Sequence, residues 1–391
     1  MVELVAEGLE KGGHEVVVIS TRPLFEQKNN KARKQKNKIY YIPAFYYNLN
    51  KLPVFIRLFW HITDMFDAGS FLKVRSILKR ESPDIVMTHN LKGIGYLIPL
   101  AVKLSGIRHI HALHDIQLIH PSGLMIYGRE KKIDGVLAKM YASICRWLFA
   151  SPSMVISPSK WLMDMHSERG FFKNSKKVVL PNPTSPPPPF LIRRGEKGER
   201  FRFLYVGQIE EHKGILFLIE AFKKINTPFK SGVGGFSSPF NKGGVGGFLR
   251  LELLIVGDGS ETEKAEKLAE GIKNIKFLGK KNKDEVASLM REVDCLIVPS
   301  LCYENSPTVI YEAFGVGLPV IASDLGGIPE LLEGGAGVLF KAGDESDLAK
   351  KMKWVSENRD ELKGIGEAGS KKAENFGLEN YLNKLLSTLI H

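Results

Sequence analysis

The sequence predicts an α/β protein built from two parallel-sheet domains, and three observations lead to this prediction. Short apolar runs of strand character alternate with helical patterns through both halves of the chain. Such alternation is typical of parallel sheets that are covered by helices on both faces. The length of 391 residues suits two domains with a core each. Between the halves, a segment rich in proline and charge has no periodicity.

These patterns set the expected domain limits. We predict a first domain over 1–182, a linker over 183–200 and a second domain over 201–375, followed by a C-terminal helix, 376–391, that packs back toward the first domain. The strands predicted in the first half are 15–20, 84–88, 109–113, 154–157 and 177–180. Those predicted in the second half are 203–206, 251–256, 275–278, 295–299, 319–322 and 338–340.

Three segments depart from the alternation. Residues 227–248 hold two copies of Gly-Val-Gly-Gly-Phe and few branched apolar residues, so we interpret them as a low-complexity insertion in a surface loop. The basic run 28–38 is interpreted as a solvated loop, with contact to anionic lipid as the alternative. Residues 51–66 combine aromatic, aliphatic and basic side chains; core packing is the favoured explanation, and a membrane interface is the alternative.

Composition narrows the class of protein. A net charge of +12 suits nucleic acid, an anionic membrane or anionic small substrates. No zinc spacing, RNA-binding aromatic signature or helix-turn-helix pattern accompanies it, so we expect no nucleic-acid partner. Cys145, Cys295 and Cys302 have no paired spacing and are expected to be packing residues in a reducing compartment. No apolar run reaches the ~20 residues that cross a bilayer. We therefore expect a cytoplasmic protein, with peripheral contact at the inner face of the membrane left open.

The most informative segment lies between residues 299 and 330, where Glu304 and Glu312 stand eight positions apart. Ser306 fits a helix N-cap and Pro307 the first helical position, so a helix is predicted from about 307 until a glycine ends it. The free N–H groups of a helix start bind anions, and a diphosphate suits such a site. The two carboxylates would receive the hydroxyls of a ribose and of a sugar, and neither would touch the phosphates.

Two further glycine turns follow predicted strands. After the strand 203–206, Gly207 permits close approach of a ligand, and Lys213, just before Gly214, can neutralise phosphate oxygens. The next strand ends in Gly257-Asp258-Gly259, the kind of turn at which open sheets bind nucleotides.

Together these segments resemble the signature of the family-four retaining glycosyltransferases, the glycosyl transferases group 1, which have the GT-B architecture. In that signature Glu, seven residues and Glu precede Gly-Leu-Pro-Val-Ile and Gly-Gly-Ile-Pro-Glu, and residues 317–321 and 326–330 match as written. The resemblance implies two Rossmann-like domains that face each other across a cleft. It also implies transfer of a sugar, with retention, from a nucleotide-diphosphate-sugar held by the second domain to a glycan or lipid-linked acceptor. No Asp-x-Asp pair is present, so neither a metal nor another cofactor is expected.

The resemblance also implies roles for individual residues. Lys213 would hold the leaving diphosphate, although Gln208 stands where the family usually has an arginine. Glu304 would bind the sugar hydroxyls and Glu312 the ribose, and His114 of the His114-Asp115 pair would orient the donor sugar. The catalytic residues it implies are therefore His114, Lys213 and Glu304. The donor-binding residues it implies are Gly207, Gln208, Lys213, Gly214, Gly257, Lys280, Glu304, Asn305, Ser306, Pro307, Thr308, Val309 and Glu312.

One departure from the family leaves alternatives open. Family members open with a buried strand and a glycine loop, whereas this sequence begins inside the following helix. We therefore expect a gap in the first sheet that exposes the edge of a neighbouring strand. The main expectation is an enzyme of cell-surface polysaccharide or glycolipid synthesis. The alternatives are a non-catalytic remnant that binds a nucleotide-sugar and a sugar-nucleotide epimerase.

Overall fold

The chain folds into two compact units. The computed structural model describes residues 1–23, 38–47, 53–184, 200–226 and 250–390. Unit 1 comprises Met1–Ser185 together with Phe376–His391, and unit 2 comprises Pro186–Asn375. The division after residue 185 falls inside the predicted linker, and the C-terminal segment belongs to unit 1.

Some sequence predictions concern residues that the structure does not describe. The predicted insertion 227–248 lies wholly outside the described residues. So do residues 185–199 of the predicted linker and residues 28–37 of the basic run. The interpretations of these segments stay predictions.

Unit 1 contains six described strands, all in parallel pairs. They are β1 Val17–Pro23, β2 Lys38–Ala44, β3 Ile85–Thr88, β4 Arg108–Ala112, β5 Met154–Ser157 and β6 Lys176–Val179. β1 pairs with β2, while the other four form a separate sheet in the order β3-β4-β5-β6. The strands of unit 1 therefore divide between two sheets, and β3 lies at an edge of the larger one.

Helices surround these strands and complete the core of unit 1. They are α1 Val2–Lys11, α2 Val54–Met65, α3 Ala68–Glu81, α4 Ile98–Leu104, α5 Val136–Leu148, α6 Lys160–Glu168 and, at the end of the chain, α14 Leu378–Ile390. Val5 of α1 and Tyr381 and Leu385 of α14 join Ile110 and Met154 of the sheet in one buried cluster. A Cβ on Gly8 would lie 2.6 Å from Leu382 Cδ1, so α1 and α14 touch at a glycine.

Unit 2 is a single six-stranded parallel sheet with helices packed on it. Its strands are β7 Arg200–Val206, β8 Arg250–Val256, β9 Ile275–Phe277, β10 Cys295–Val298, β11 Val320–Ser323 and β12 Val338–Phe340, in the spatial order β12-β11-β10-β7-β8-β9. Every residue of β10 and β11 is buried, which is typical of central strands covered on both faces.

The helices of unit 2 are α7 Ile215–Asn226, α8 Thr262–Leu268, α9 Lys283–Glu292, α10 Thr308–Gly315, α11 Ile328–Leu332, α12 Glu345–Glu357 and α13 Arg359–Ala373. Their starts follow from local sequence. Asn282 and Glu285 form a reciprocal capping box at α9, and the Asp344 carboxylate caps α12 by accepting two backbone N–H bonds. The predicted two-domain parallel α/β fold is thus confirmed.

Several details differ from the sequence predictions or complete them. Strand β2 was not predicted, because residues 38–44 adjoin the basic run that was interpreted as a loop. Residues 51 and 52 of the segment 51–66 lie outside the described residues. Among its described side chains, core packing explains only a part, since Ile56, Phe59 and Ile62 of α2 are exposed. Cys145, Cys295 and Cys302 are buried, as expected of packing residues. Among the described helices, none has both the length and the apolar character needed to span a bilayer.

Buried histidines form a polar chain inside unit 1. His109 Nδ1 lies 2.7 Å from Ser151 Oγ, and its Nε2 lies 2.8 Å from the Thr88 hydroxyl. The same hydroxyl lies 2.8 Å from Nδ1 of His111. Burial lowers the pKa of His109 and that of His166 to about 4, and it lowers the pKa of His111 well below the ordinary range. These side chains are therefore neutral in the folded protein at pH 7.

We predict that unit 1 loses stability as the pH falls from the ordinary histidine pKa of about 6.5 toward 4. Over this pH range the histidines bind protons in the unfolded chain but stay neutral in the folded chain. Each of the three histidines should therefore lower the free energy of unfolding by about 1.4 kcal/mol per pH unit. Urea denaturation between pH 7.5 and pH 5, followed by hydrogen–deuterium exchange in peptides of unit 1, measures this slope.

A matched pair of variants tests the assignment. His109→Gln should reduce the slope by about one proton, or roughly 1.4 kcal/mol per pH unit. His14→Gln, which changes an exposed histidine of the same unit, should leave the slope as it is. An unchanged slope in His109→Gln would contradict the prediction.

Candidate active site

The candidate site of unit 2 lies in the loops that follow its strands. Because all six strands are parallel, their carboxyl ends meet at one edge of the sheet, where open α/β sheets bind ligands. Residues 207–214 follow β7, residues 257–261 follow β8 and residues 299–307 follow β10. The sequence prediction had placed most of its donor-binding residues in these same three loops.

Glycines let the backbones of these loops touch. A Cβ on Gly257 would lie 1.8 Å from the carbonyl oxygen of Gly207, and one on Gly214 would lie 1.9 Å from that of Pro299. Both glycines have positive φ, +148° and +75° respectively, a region that side chains disfavour. Hydrogen bonds from Gly207 N to Val256 O and from Ile209 N to Asp258 O fasten the first two loops. Contact between the two loops is therefore enough to explain the glycine at position 257.

The loops after β7 and β10 are joined by an ion pair. Lys213 ends a short 3-10 turn, Glu211–Lys213, and its Nζ donates to Oε1 of Glu304 at 2.6 Å. The same carboxylate oxygen accepts a hydrogen bond of 3.0 Å from the Ser300 hydroxyl. Leu301 N also donates to the carbonyl oxygen of His212 at 2.9 Å. Two residues that are 91 positions apart in sequence are thereby held in direct contact.

Burial and charge act together on this pair. Burial by itself would lower the pKa of Lys213, but the Glu304 carboxylate outweighs it and the pKa is raised overall. The thiol of Cys302 donates to Glu304 Oε1 at 3.7 Å, and burial together with that carboxylate raises its pKa to about 12. Lys213 is therefore a fixed cation at neutral pH, and Cys302 is a neutral thiol. Sequence reasoning had missed the contributions of Ser300 and Cys302.

The helix that follows Glu304 begins one residue later than predicted. Thr308 is the first residue of α10, Pro307 occupies the N-cap position, and no side chain caps the helix. Ser306 is not the cap, because its Oγ lies 2.6 Å from the Tyr311 hydroxyl and is committed to that contact. Ile310 N donates to Pro307 O, whereas the N–H groups of Thr308 and Val309 have no acceptor among the described residues. Two donors at the helix start remain available.

Three other predicted residues of unit 2, Glu312, Gln208 and Lys280, are exposed. Glu312 is on the exposed side of α10, where partial loss of hydration raises its pKa and Lys283 opposes that shift. Gln208 and Lys280 are exposed, in the loops after β7 and β9. The backbone carbonyl of Gln208 accepts from the Tyr205 hydroxyl at 2.6 Å. Within the described ranges, no hydrogen bond or ion pair links Glu312 or Lys280 to Lys213 or Glu304.

His114 belongs to unit 1 and follows strand β4. Its Nε2 lies 2.9 Å from Nδ1 of His89, and burial lowers the pKa of His114 to about 4. The neighbouring Asp115 carboxylate accepts from Gln117 N at 2.7 Å, which fixes the turn. Among the described residues, no group of three or more His, Cys, Asp or Glu side chains is arranged to hold a metal ion.

Comparisons with known proteins show which family and fold this chain resembles. Residues 192–372 match the family model "Glycosyl transferases group 1", and residues 1–186 match the model "Glycosyltransferase Family 4". A 42.6 kDa protein of the cps region of Klebsiella pneumoniae is 25% identical over 84% of this chain and 82% of its own length.

Solved structures share the fold. Sucrose-phosphate synthase from Thermosynechococcus elongatus superposes with a TM-score of 0.73 at 18% identity, covering 100% of this chain and 92% of that one. Anabaena HepE, solved in complex with UDP, superposes with a TM-score of 0.65 at 18% identity, covering 95% and 99% of the two chains.

The close approach of two loops at Gly257 yields a stability prediction. Gly257→Ala should destabilise unit 2 by about 3 kcal/mol, because its Cβ meets a backbone carbonyl that cannot rotate away. Gly271→Ala is the matched control: its φ is +79°, yet no atom lies within 4 Å of the added Cβ. It should cost only about 1 kcal/mol. Equal losses in the two variants, measured by urea denaturation, would show that the contact with Gly207 is not the cause.

Proposed function

Because the chain belongs to the family-four glycosyltransferases of the GT-B architecture, we propose that it transfers a sugar with retention from a nucleotide-diphosphate-sugar to a hydroxyl group. The acceptor is a glycan or a lipid-linked acceptor, and neither a metal ion nor another cofactor takes part. One observation carries this proposal: Lys213 and Glu304 are in contact beside a helix start with two available N–H donors.

The leaving diphosphate is the group that this arrangement suits best. The Lys213 ammonium and the N–H groups of Thr308 and Val309 supply one full and two partial positive charges. Charge develops on the diphosphate as the bond from the anomeric carbon to the phosphate oxygen breaks, so fixed donors there lower the barrier. The acceptor oxygen forms the new bond to that carbon. Its proton passes to a diphosphate oxygen, which balances the step without a protein base.

The two carboxylates accept hydrogen bonds from the hydroxyl groups of the donor. Glu304 binds hydroxyls of the transferred sugar, and Glu312, exposed on the first turns of α10, accepts from the ribose hydroxyls. Gly207, Gln208 and Gly214 line the diphosphate side. The further donor contacts in this proposal are Gly257, Lys280, Asn305, Ser306 and Pro307.

His114 orients the donor sugar from unit 1. At neutral pH its imidazole is uncharged, because burial lowers its pKa to about 4. It therefore acts by hydrogen bonding rather than as a cation. His89, 2.9 Å away, holds the ring in place.

The proposed setting is the assembly of a cell-surface polysaccharide or glycolipid. The relative from the cps region of Klebsiella pneumoniae favours a polysaccharide. We place the protein in the cytoplasm, with peripheral contact to the inner face of an anionic membrane.

Nucleotide binding gives the first test. Calorimetric titration of the chain with UDP, GDP and ADP should show one preferred nucleotide; UDP is the first choice because HepE was solved with it. Lys213→Ala should weaken that affinity by about 10- to 100-fold, as expected for a charge-assisted contact. Glu312→Ala should weaken it by about tenfold through lost ribose bonds.

Lys281→Ala is the matched control for Lys213→Ala. Lys281 lies in the same unit and is also ion-paired, with Glu285 at 3.0 Å. It should bind nucleotide as the unsubstituted chain does. Failure to bind any of the three nucleotides, or equal affinity in Lys213→Ala, would refute the site.

Hydrolysis of the sugar donor distinguishes an active transferase from a non-catalytic remnant that only binds the nucleotide-sugar. Glu304→Gln keeps the size of the side chain and frees Lys213, so we predict unimpaired binding of the free nucleotide with at least a 100-fold loss in hydrolysis of the matching sugar donor. Hydrolysis should persist in EDTA. Binding without any hydrolysis in the unsubstituted chain would favour the non-catalytic remnant, and a loss of turnover in EDTA would contradict metal independence.

A further inference from the structure

Helix α5 has an apolar face toward the core and a second apolar face toward solvent. Ala138, Ala142, Cys145 and Leu148 are buried. The outward residues are Val136, Leu137, Met140, Ile144 and Trp147, whose fractional exposures are 77%, 80%, 59%, 39% and 67%. We call these five residues the α5 stripe. A helix with two apolar faces is normally covered on both, so we infer that the stripe contacts a partner.

The stripe is continuous along the helix. Leu137, Met140, Ile144 and Trp147 follow one another at spacings of three and four residues, which places them in one row. The 13 residues of α5 extend the row over about 20 Å. Leu124 and Tyr127, in the loop before the helix, are also exposed. This amount of exposed apolar surface exceeds the scattered single residues that any soluble protein shows.

The surroundings of the stripe are basic. Residues 129–148 include five basic side chains and two acidic ones, and α5 itself contains neither Asp nor Glu. Arg129, Lys131, Lys132 and Lys139 are exposed. Of the two acids, Asp134 is neutralised by an ion pair of 3.1 Å with Arg169. With five basic and two acidic side chains, residues 129–148 carry a net charge of +3.

We propose that the α5 stripe docks on an anionic lipid surface. Its apolar side chains would enter the boundary between headgroups and acyl chains, while the four exposed basic residues meet the headgroup phosphates. A second copy of the chain fits less well, since a two-fold contact would bring the same basic residues of both protomers together. The inference extends the proposed function by placing the protein where a lipid-linked acceptor lies, but docking itself needs no donor site.

Sedimentation with vesicles tests the proposal on the full chain. The protein should bind vesicles of phosphatidylglycerol and phosphatidylethanolamine and not vesicles of phosphatidylcholine. Binding should weaken as salt rises from about 0.1 M to 0.5 M, because headgroup attraction is screened. Leu137→Ser combined with Trp147→Ser should reduce the partition coefficient by at least about tenfold, since two apolar anchors are lost.

Leu72→Ser is the matched control, because Leu72 is 62% exposed on α3 of the same unit but lies outside the stripe. It should bind the anionic vesicles normally. Tryptophan emission supplies a second readout. The unsubstituted chain should show a blue shift on anionic vesicles, and Trp147→Phe should retain sedimentation but lose that shift.

Three results would overturn docking. They are absence of vesicle binding by the unsubstituted chain, equal binding by the double variant, and lipid-independent self-association that the double variant abolishes. Circular dichroism and nucleotide titration of each variant check that it is folded. Donor hydrolysis in the same samples keeps the two proposals apart: vesicle binding without hydrolysis supports docking and counts against the enzyme, while the reverse result counts against docking alone.

Discussion

The candidate site depends on contact between the backbones of loops at one edge of the unit 2 sheet. A Cβ on Gly257 would meet Gly207 at 1.8 Å, one on Gly214 would meet Pro299 at 1.9 Å, and one on Gly326 would meet the Glu304 carbonyl oxygen at 2.3 Å. Each contact ties a loop to its neighbour. Larger side chains would separate the loops and carry Lys213 away from Glu304. The glycines that look like ligand contacts in the sequence are thus explained first by the packing of the protein on itself.

The Lys213–Glu304 ion pair depends on this packing of the loops. Half-buried charges are costly unless they are paired, and each of these residues satisfies the other at 2.6 Å. Ser300 adds a second donor to the same carboxylate oxygen. In the proposed function, an incoming diphosphate must therefore compete with, or share, an existing partner of the lysine. That requirement favours strongly anionic ligands over weak ones, and it keeps the ammonium in place before any ligand arrives.

The sequence predicted the fold well because parallel strands are continuous apolar runs. Strands β5 and β12 agree with prediction to the residue, and the fully buried β10 and β11 agree within one. Strand β2 was not predicted, because it follows a basic run and contains Pro43. At the site, Lys213 and Glu304 were both named from the sequence, but not their ion pair, since residues 91 positions apart meet only through the sheet order. Ser306 was mistaken for a cap because its preference for that position was overridden by a bond to Tyr311.

Periodicity also fails to predict which side of a helix is buried when the helix has two apolar faces. Helix α5 of unit 1 shows why. Small side chains, Ala138 and Ala142, face the core, so α5 packs closely while its larger residues point outward. Sequence alone would bury those larger residues first. His109 and His111, in contrast, are buried, and burial lowers the pKa of each so that both stay uncharged. Unit 1 therefore encloses polar groups in hydrogen-bonded chains and presents bulky apolar groups at its surface. Exposure of these apolar groups is unfavourable in water, and it becomes favourable where that surface rests on an apolar medium.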